Sequence, residues 1–309
     1  NGINVHVVVF SSAYNEVHNG TVDGIYYYHP FEQKKRNISF LIRAGQKIKK
    51  HIRAYRLLKK INKEDKIIAI NSWTNLLSTH LIAWIFSKLL KTKLITECSE
   101  HPLKDFQGGA VTKIKGTAKF YIESRMCDGI LCISRFLIDF HKARGVKPKK
   151  LFHISSTVDA SRFIKTGVKP IEKKYIGYFG SLTFKRDNVD LLINAFAHFR
   201  QLHPDVYLVL GGFSTPDVKK QITDMISQLG IQDRVVIMEY LSREEILQYI
   251  VHADVLVMVR SNDLEASASY PSKLSEFLAT GRPVVTVNVG EIADFITDKV
   301  NGFLIEPGD

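Results

Sequence analysis

No GxGxxG, GxxxxGK or GxSxG occurs anywhere in the 309 residues, which removes the main sequence support for a dinucleotide fingerprint, a P-loop or a serine-hydrolase nucleophile elbow. No Asp-x-Asp pair occurs either. A diphosphate held through a metal ion is therefore not favoured, and Asp263 with Glu265 is the nearest thing to a carboxylate pair. Cysteine is scarce: Cys98, Cys127 and Cys132 show neither CxxC spacing nor nearby paired histidines, so neither a disulfide framework nor a zinc site is indicated and a reducing cytosol is the simplest setting. Long apolar runs are missing as well. The longest, LIAWIFSKLL at 81–90, is broken by Ser87 and Lys88 and falls far short of the ~18 residues of a membrane-spanning helix. No aromatic-plus-basic recognition motif is visible, so nucleic acid is not an expected partner. No signal peptide is seen, and the chain runs from Asn1 straight into INVHVVVF, which suggests a start inside a domain.

What is present is size, an ordinary globular composition and an uneven charge. A length of 309 residues with 45% apolar and 24% charged side chains suits two domains of about 150 residues each. Residues 1–165 hold 29 Lys/Arg against 12 Asp/Glu, a net +17, whereas residues 166–309 hold 14 against 19, a net −5. The two halves must face different partners. A basic half suits an anionic membrane surface or a phosphorylated ligand; its blander reading is a solvated lysine-rich surface.

Along the chain, strand-like apolar runs alternate with helical patterns, the signature of βαβ units and parallel sheets. The first half offers 3–10, 24–29, 66–70, 93–97, 129–134 and 151–155 as strands, with a clear helix at 75–90. Residues 160–174, ASRFIKTGVKPIEKK, lack periodicity and read as a linker. The alternation then restarts with YIGYFG, VYLVLGG, RVVIMEY, VLVMVR, PVVTVN and GFLIE as strands and with helices at 189–202, 217–229, 243–251 and 291–297. Strands so continuously apolar are covered on both faces, as parallel strands usually are. The expected fold is α/β, two tandem doubly wound domains: 1–160, a linker at 161–174, and 175–309. In such sheets ligands bind beyond the carboxyl ends of the strands.

Two loops in the second half carry candidate chemistry. YFGSLTFKRDN (178–188) places a Gly180-Ser181 turn behind a strand and then Lys185 and Arg186 ahead of a helix, so amides and two cations could form an anion pocket. SASYPSKLSEFLATGRPVV (267–285) sets small residues before a short helix that Pro271 can open. Small residues from Ala266 to Ser269 would let a phosphate approach the free amides. Lys273 stands three positions before Glu276, whose paired oxygens suit two adjacent ribose hydroxyls. Each loop also has a plain alternative, an exposed basic loop in one case and a solvated i, i+3 pair in the other.

At these residues the chain resembles the retaining glycosyltransferases of family four. YIGYFGSLTFKRDNVDLLINAFAHF (175–199) is similar to the opening of that family's nucleotide-binding domain, and YPSKLSEFLATGRPVV (270–285) to its helix with a ribose-binding glutamate. GEIADFITDKVNGFLIEPGD (290–309) resembles its closing segment and FHISSTVDASRF (152–163) its interdomain crossing. The resemblance implies the GT-B architecture, two Rossmann-like domains facing a central cleft. It implies that Glu276 binds ribose, that Arg186 with Lys185 behind it holds a diphosphate, and that Lys273 lies at the phosphate end of the same helix. Gly180, Ser181 and Ser269 complete the expected donor site, with Glu265 as a further candidate. TECSEHP (96–102) resembles the loop that approaches the donor sugar, making His101 and Glu100 the candidate catalytic residues through contacts to sugar hydroxyls. Two positions depart from the family's pattern. Its earlier glutamate corresponds to Ala268, and the arginine after the turn glycine to Ser181. The family's first strand and glycine-rich loop are expected ahead of INVHVVVF, and its last helix after Asp309, so the sequence reads as truncated at both ends.

The resemblance thus implies transfer of a sugar, with retention, from a nucleoside-diphosphate sugar to a glycan or lipid-linked acceptor, in cell-surface polysaccharide biosynthesis, with no cofactor and no metal. Amides of the 180–182 turn and the 268–272 loop, with Arg186, would stabilise the departing diphosphate. A lipid diphosphate at the inner face of the membrane would give the basic half a use, with Lys34 to Lys60 as contact surface. The expected location is cytoplasmic and peripheral. A non-catalytic nucleotide-sugar-binding or scaffold subunit, and a sugar-nucleotide epimerase of the same architecture, remain open.

Overall fold

The computed structural model describes residues 2–9, 19–29, 40–74, 76–102, 109–164, 167–239 and 241–308. Two compact units divide them, one comprising residues 1–97 and 114–130, the other residues 98–113 and 131–309.

The first unit begins with a three-stranded sheet. β1 (Val5–Val8) runs parallel to β3 (Ile25–Tyr28), and β2 (Asn19–Val22) pairs antiparallel with β3. An all-parallel first half is therefore corrected at β2. The cause is local: Asp23 and Gly24 both take positive φ, 51° and 78°, which closes a two-residue hairpin that an Asp-Gly pair favours. The long helix α1 (Phe40–Glu64) follows, then β4 (Ala69–Ser72), α2 (Leu77–Leu90) and β5 (Lys93–Cys98). β4 and β5 are parallel, with Ala69 opposite Lys93. Ala54 of α1 and Phe86 of α2 are buried together, with Tyr55, Leu58, Ile70 and Ile82 packed around them. Helix α3 (Ala110–Met126) leads to β6 (Gly129–Cys132), ahead of which Asp128 accepts from the Leu94 amide at 2.9 Å.

The second unit takes in α4 (Arg135–Ala143) and β7 (Leu151–His153), and then a six-stranded sheet. Its strands are β8 (Tyr175–Phe179), β9 (Tyr207–Gly211), β10 (Val235–Met238), β11 (Val255–Met258), β12 (Val284–Val287) and β13 (Phe303–Ile305). They lie in the order β10-β9-β8-β11-β12-β13, every pair parallel. Relabelled by position in the chain this is 3-2-1-4-5-6, the order of a doubly wound Rossmann sheet.

Between the strands come α5 (Phe184–Asp187), α6 (Val189–Leu202), α7 (Pro216–Gln228), α8 (Arg243–His252), α9 (Leu264–Ala268) and α10 (Ser272–Ala279). The side-chain period of two sorts each strand onto two cores. Leu208 and Leu210 pack with Leu192, Ile193 and Phe196 of α6, whereas Val209 between them packs with Ile250 of α8 and with Leu274 and Phe277 of α10. The helix starts are encoded locally. Ser242 and Glu245 form a reciprocal capping box at α8, and Thr215 caps α7 with Pro216 in the first turn.

Within the expected linker at 161–174, Phe163 is buried, Ile171 packs on the same core, and Lys169 Nζ lies 3.5 Å from Asp254. Apolar anchors without periodicity leave no trace in a pattern search. The helix expected at 291–297 shrinks to a single 3-10 turn, Ile292–Asp294, because the Asn301 side chain takes the Thr297 amide at 2.7 Å and donates to the Phe295 carbonyl. The segment after β6 is tied into the second unit: Ser134 Oγ donates to the Ala268 carbonyl at 2.5 Å, the Arg135 amide donates to Glu291 Oε1, and Arg135 Nη1 meets Asp294 at 3.1 Å.

Helix α4 buries His141, and that burial, helped by Arg144 and His101 nearby, lowers its imidazole to about 4. The neutral ring is the native form, so this contribution is whole above the ordinary value of 6.5 and is lost as pH falls from there toward about 4. Between pH 7 and pH 5 the unfolding free energy should drop by about 2 kcal/mol from this group alone. Urea titrations of the wild type and of His141→Gln would show it as a smaller pH-dependent drop in the variant; equal drops in both would remove His141 from the account.

Candidate functional site

β8 and β11 are neighbours in the sheet, yet the chain leaves β8 toward β9 on one side and β11 toward β12 on the other. Their carboxyl ends therefore part, at the place where doubly wound sheets bind ligands. The loop after β8 and the loop after β11 are fastened together there. The Ser261 amide donates to the Arg186 carbonyl at 3.0 Å, and Asn188 Nδ2 donates to the Arg260 carbonyl at 3.3 Å.

Three cations converge at this point: Arg186 on α5, Arg260 just after β11, and Lys273 in the first turn of α10. Arg260 is 9% exposed, and its Nη1 is buried without a hydrogen-bond partner among the described residues. Burial lowers its pKa, and Arg186 adds to the effect. Lys273 is lowered by burial first, with Arg186 and Arg260 pushing the same way against Asp187 and Glu276. A buried guanidinium with an unused donor is costly unless something anionic meets it. Sequence reading missed Arg260. It ends an apolar strand run with no spacing signature, and only the sheet order places it beside Arg186.

The remaining candidates separate by geometry. Lys185 is exposed and takes no part in the electrostatic neighbourhood of Lys273 or Arg260. Ser269 holds the cation: its Oγ accepts from Arg260 Nη2 at 2.7 Å and donates to the Glu265 carbonyl at 2.7 Å. Glu276, one turn beyond Lys273, is half-buried and close enough to raise the lysine's pKa. Asp187 accepts from Thr183 Oγ1 at 2.6 Å. The expectation that turn amides supply the pocket is corrected in part. The Gly180 amide donates to the Gly211 carbonyl at 2.8 Å and the Leu182 amide to the Phe213 carbonyl at 2.9 Å, because the turn continues the β8–β9 ladder. Ser181 is exposed, and its carbonyl accepts from Tyr178 Oη at 2.9 Å. The Ser269 amide is engaged as well, with the Glu265 carbonyl at 3.1 Å.

What Gly180 contributes is room. A Cβ there would fall on Lys273 Nζ. Gly212, at φ +149°, faces it: a Cβ on Gly212 would fall on the Gly180 carbonyl oxygen. Gly212 also lines a pocket of about 180 Å³, with Phe213, Ser214, Glu239, Leu241 and Ile246. The pocket opens beyond β9 and β10, so it adjoins the cations through the two glycines.

His101 lies in the same unit. Its ring meets Phe140 edge-on at 4.6 Å and Phe136 at 6.0 Å, and its Nδ1 is buried without a hydrogen-bond partner among the described residues. Burial lowers its pKa and Arg144 adds to this, while Glu265 opposes them. His101 and Glu265 are therefore neighbours, and Glu265, on α9, stands between Arg260 and Lys273 in the chain. Glu100 is exposed, and its carbonyl accepts from Cys98 Sγ at 3.6 Å. Ala268 is fully buried. Among the described residues no three His, Cys, Asp or Glu side chains gather as metal ligands.

Residues 159–309 match the family model described as glycosyl transferases group 1. An uncharacterized glycosyltransferase, MJ1607 of Methanocaldococcus jannaschii, is 26% identical over 136 residues, 44% of this chain. The match spans about a third of the relative's length, 33%. Among solved structures, a glycosyltransferase from Rickettsia africae aligns with a TM-score of 0.67 at 16% identity, covering 92% of this chain and 72% of that one. Anabaena Alr3699/HepE in complex with UDP aligns with a TM-score of 0.64 at 18% identity, covering 84% and 69%. Residues 159–309 are thus similar to glycosyl transferases group 1, and the fold is α/β of the GT-B type.

Proposed function

We propose that the chain transfers a glycosyl group from a nucleoside-diphosphate sugar to a glycan or lipid-diphosphate-linked acceptor, with retention at the anomeric carbon and without a metal. The observation that carries this reading is the convergence of Arg186, Arg260 and Lys273 at the switch point, one turn from the Glu276 carboxylate. Breaking the bond between the anomeric carbon and the diphosphate oxygen leaves negative charge on the departing diphosphate. Three positioned cations meet that charge without reorganising. Arg260 gives directed N–H donors and Lys273 a compact charge. Glu276 accepts from the ribose hydroxyls, and the pocket at Gly212 receives the base. His101, its pKa lowered by burial, and Glu265 contact hydroxyls of the donor sugar. That Anabaena Alr3699/HepE was crystallised with UDP and with UDP-glucose supports a nucleotide-sugar ligand for this fold. Retention follows the resemblance of 175–199 and 270–285.

The acceptor's home is the inner face of a membrane. Residues 34–39 of the basic stretch lie outside the described residues, but α1 continues it. Ile48 and Ile52 are exposed there at 62% and 47% beside exposed Lys49, Arg53, Arg56 and Lys59, an apolar and basic surface suited to anionic headgroups. Among the described residues no helix is long and apolar enough to cross a membrane.

Arg260→Gln and Glu276→Ala should each weaken nucleoside-diphosphate binding by about one to two orders of magnitude, with turnover of donor and acceptor slowed alongside. Unchanged affinity in both would remove the site. Gly180→Ala should displace the Lys273 ammonium and press on the Tyr178 hydroxyl, both side-chain ends, and so lower diphosphate affinity with a smaller fall in melting temperature than Gly212→Ala, which meets backbone. Co-flotation with liposomes should require anionic lipid and fall when Arg53 and Arg56 become glutamate. Flotation that ignores lipid charge would remove the membrane contact.

A further inference from the structure

The pocket beyond β9 and β10 has a polar feature that neither the phosphate site nor the ribose contact uses. Phe213, Leu241 and Ile246 give it apolar walls, and Phe213, at 64% exposure, offers a ring for stacking. Into this setting Glu239 brings a carboxylate that is 22% exposed. Its Oε2 meets Lys219 Nζ of α7 at 2.7 Å, and Ser214 Oγ reaches its Oε1 at 3.5 Å. Lys219 holds one oxygen and Ser214 reaches the other. A carboxylate offers about four acceptor sites, so lone pairs remain for a ligand.

At about 180 Å³ the pocket is smaller than the ~300 Å³ at which whole-ligand sites begin. One planar ring system is the occupant its size suits. A carboxylate accepts and never donates, so it discriminates among bases by their edges. Guanine presents two adjacent donors, the ring N1–H and the exocyclic N2–H₂, which match both oxygens of one carboxylate. Uracil presents a single N–H between two carbonyl oxygens, which a carboxylate repels. Adenine and cytosine each offer one amino group beside an acceptor nitrogen.

We infer that Glu239 reads the base, and that the donor is a guanosine-diphosphate sugar. This rests on the nucleotide-sugar reading above and specifies it. The UDP complex of the Anabaena protein does not speak against it, since at 18% identity the likeness is one of fold alone. A site built to satisfy hydrogen-bond donors rejects a ligand that lacks them far more strongly than an apolar slot rejects a change of size.

Calorimetric titration of the full chain with GDP, UDP and ADP separates the possibilities. GDP should bind at least about tenfold more tightly than UDP or ADP. Glu239→Gln, equal in size, should bring the GDP-to-UDP ratio close to one while leaving UDP affinity within a few-fold. That ratio is taken within one protein sample, so a partly unfolded variant cannot mimic it. UDP or ADP binding as tightly as GDP, or a ratio untouched in Glu239→Gln, overturns the inference while leaving the diphosphate site standing. Failure of all three to bind removes the nucleotide site and this inference together.

Discussion

Like charges gathered in one place are what the second unit is built to hold. Two unit charges 6 Å apart repel by about 3 kcal/mol at an effective dielectric of about 20, and here three cations share a neighbourhood that Asp187, Asp263 and Glu276 relieve. The fold keeps them in place by other means. Arg260 is fixed through Ser269 and through the backbone partner of Asn188, Lys273 is carried by a helix whose Leu274 and Phe277 are buried, and Arg186 is tied by its own carbonyl. The repulsion is maintained by packing, which makes an incoming dianion a natural complement.

The sheet explains why these residues meet at all. Arg186 and Arg260 are separated by 73 intervening residues, and their loops touch because β8 and β11 were paired while the chain ran outward from both. The same arrangement sets Gly212 beside Gly180 and so puts the apolar pocket next to the cations. The close glycine contact lets two strand ends approach until backbone meets backbone. The cations and the apolar pocket are then adjacent across two glycines.

Much of this was legible in the sequence, for definite reasons. Helix α6 was read at its observed limits, 189–202, because Val189, Leu192, Ile193 and Phe196 recur at helical spacing and are buried. The six strands of the sheet from β8 to β13 announced themselves as apolar runs between polar turns. Arg186, Lys273 and Glu276 could be named because short motifs carry them. Arg260, Ser269 as its support, and Glu239 as part of a pocket could not be assigned in that way, since their meaning depends on which strands are neighbours. The hairpin at Asp23-Gly24 did leave a signal, the Asp-Gly pair before IYYY. The segment 161–174 left none, because Phe163 and Ile171 anchor it at positions that follow no period.

Ser134 joins two parts of the second unit through one hydroxyl. Its oxygen accepts from the Leu137 amide at 3.2 Å, capping α4, while its hydrogen goes to the Ala268 carbonyl. A hydroxyl has a single proton, so that attachment is directional and cannot be doubled. An insertion in the loop after β11, or a shift in where α4 begins, would have to preserve the other's register. The two segments, 134 residues apart in sequence, are therefore free to diverge only in step.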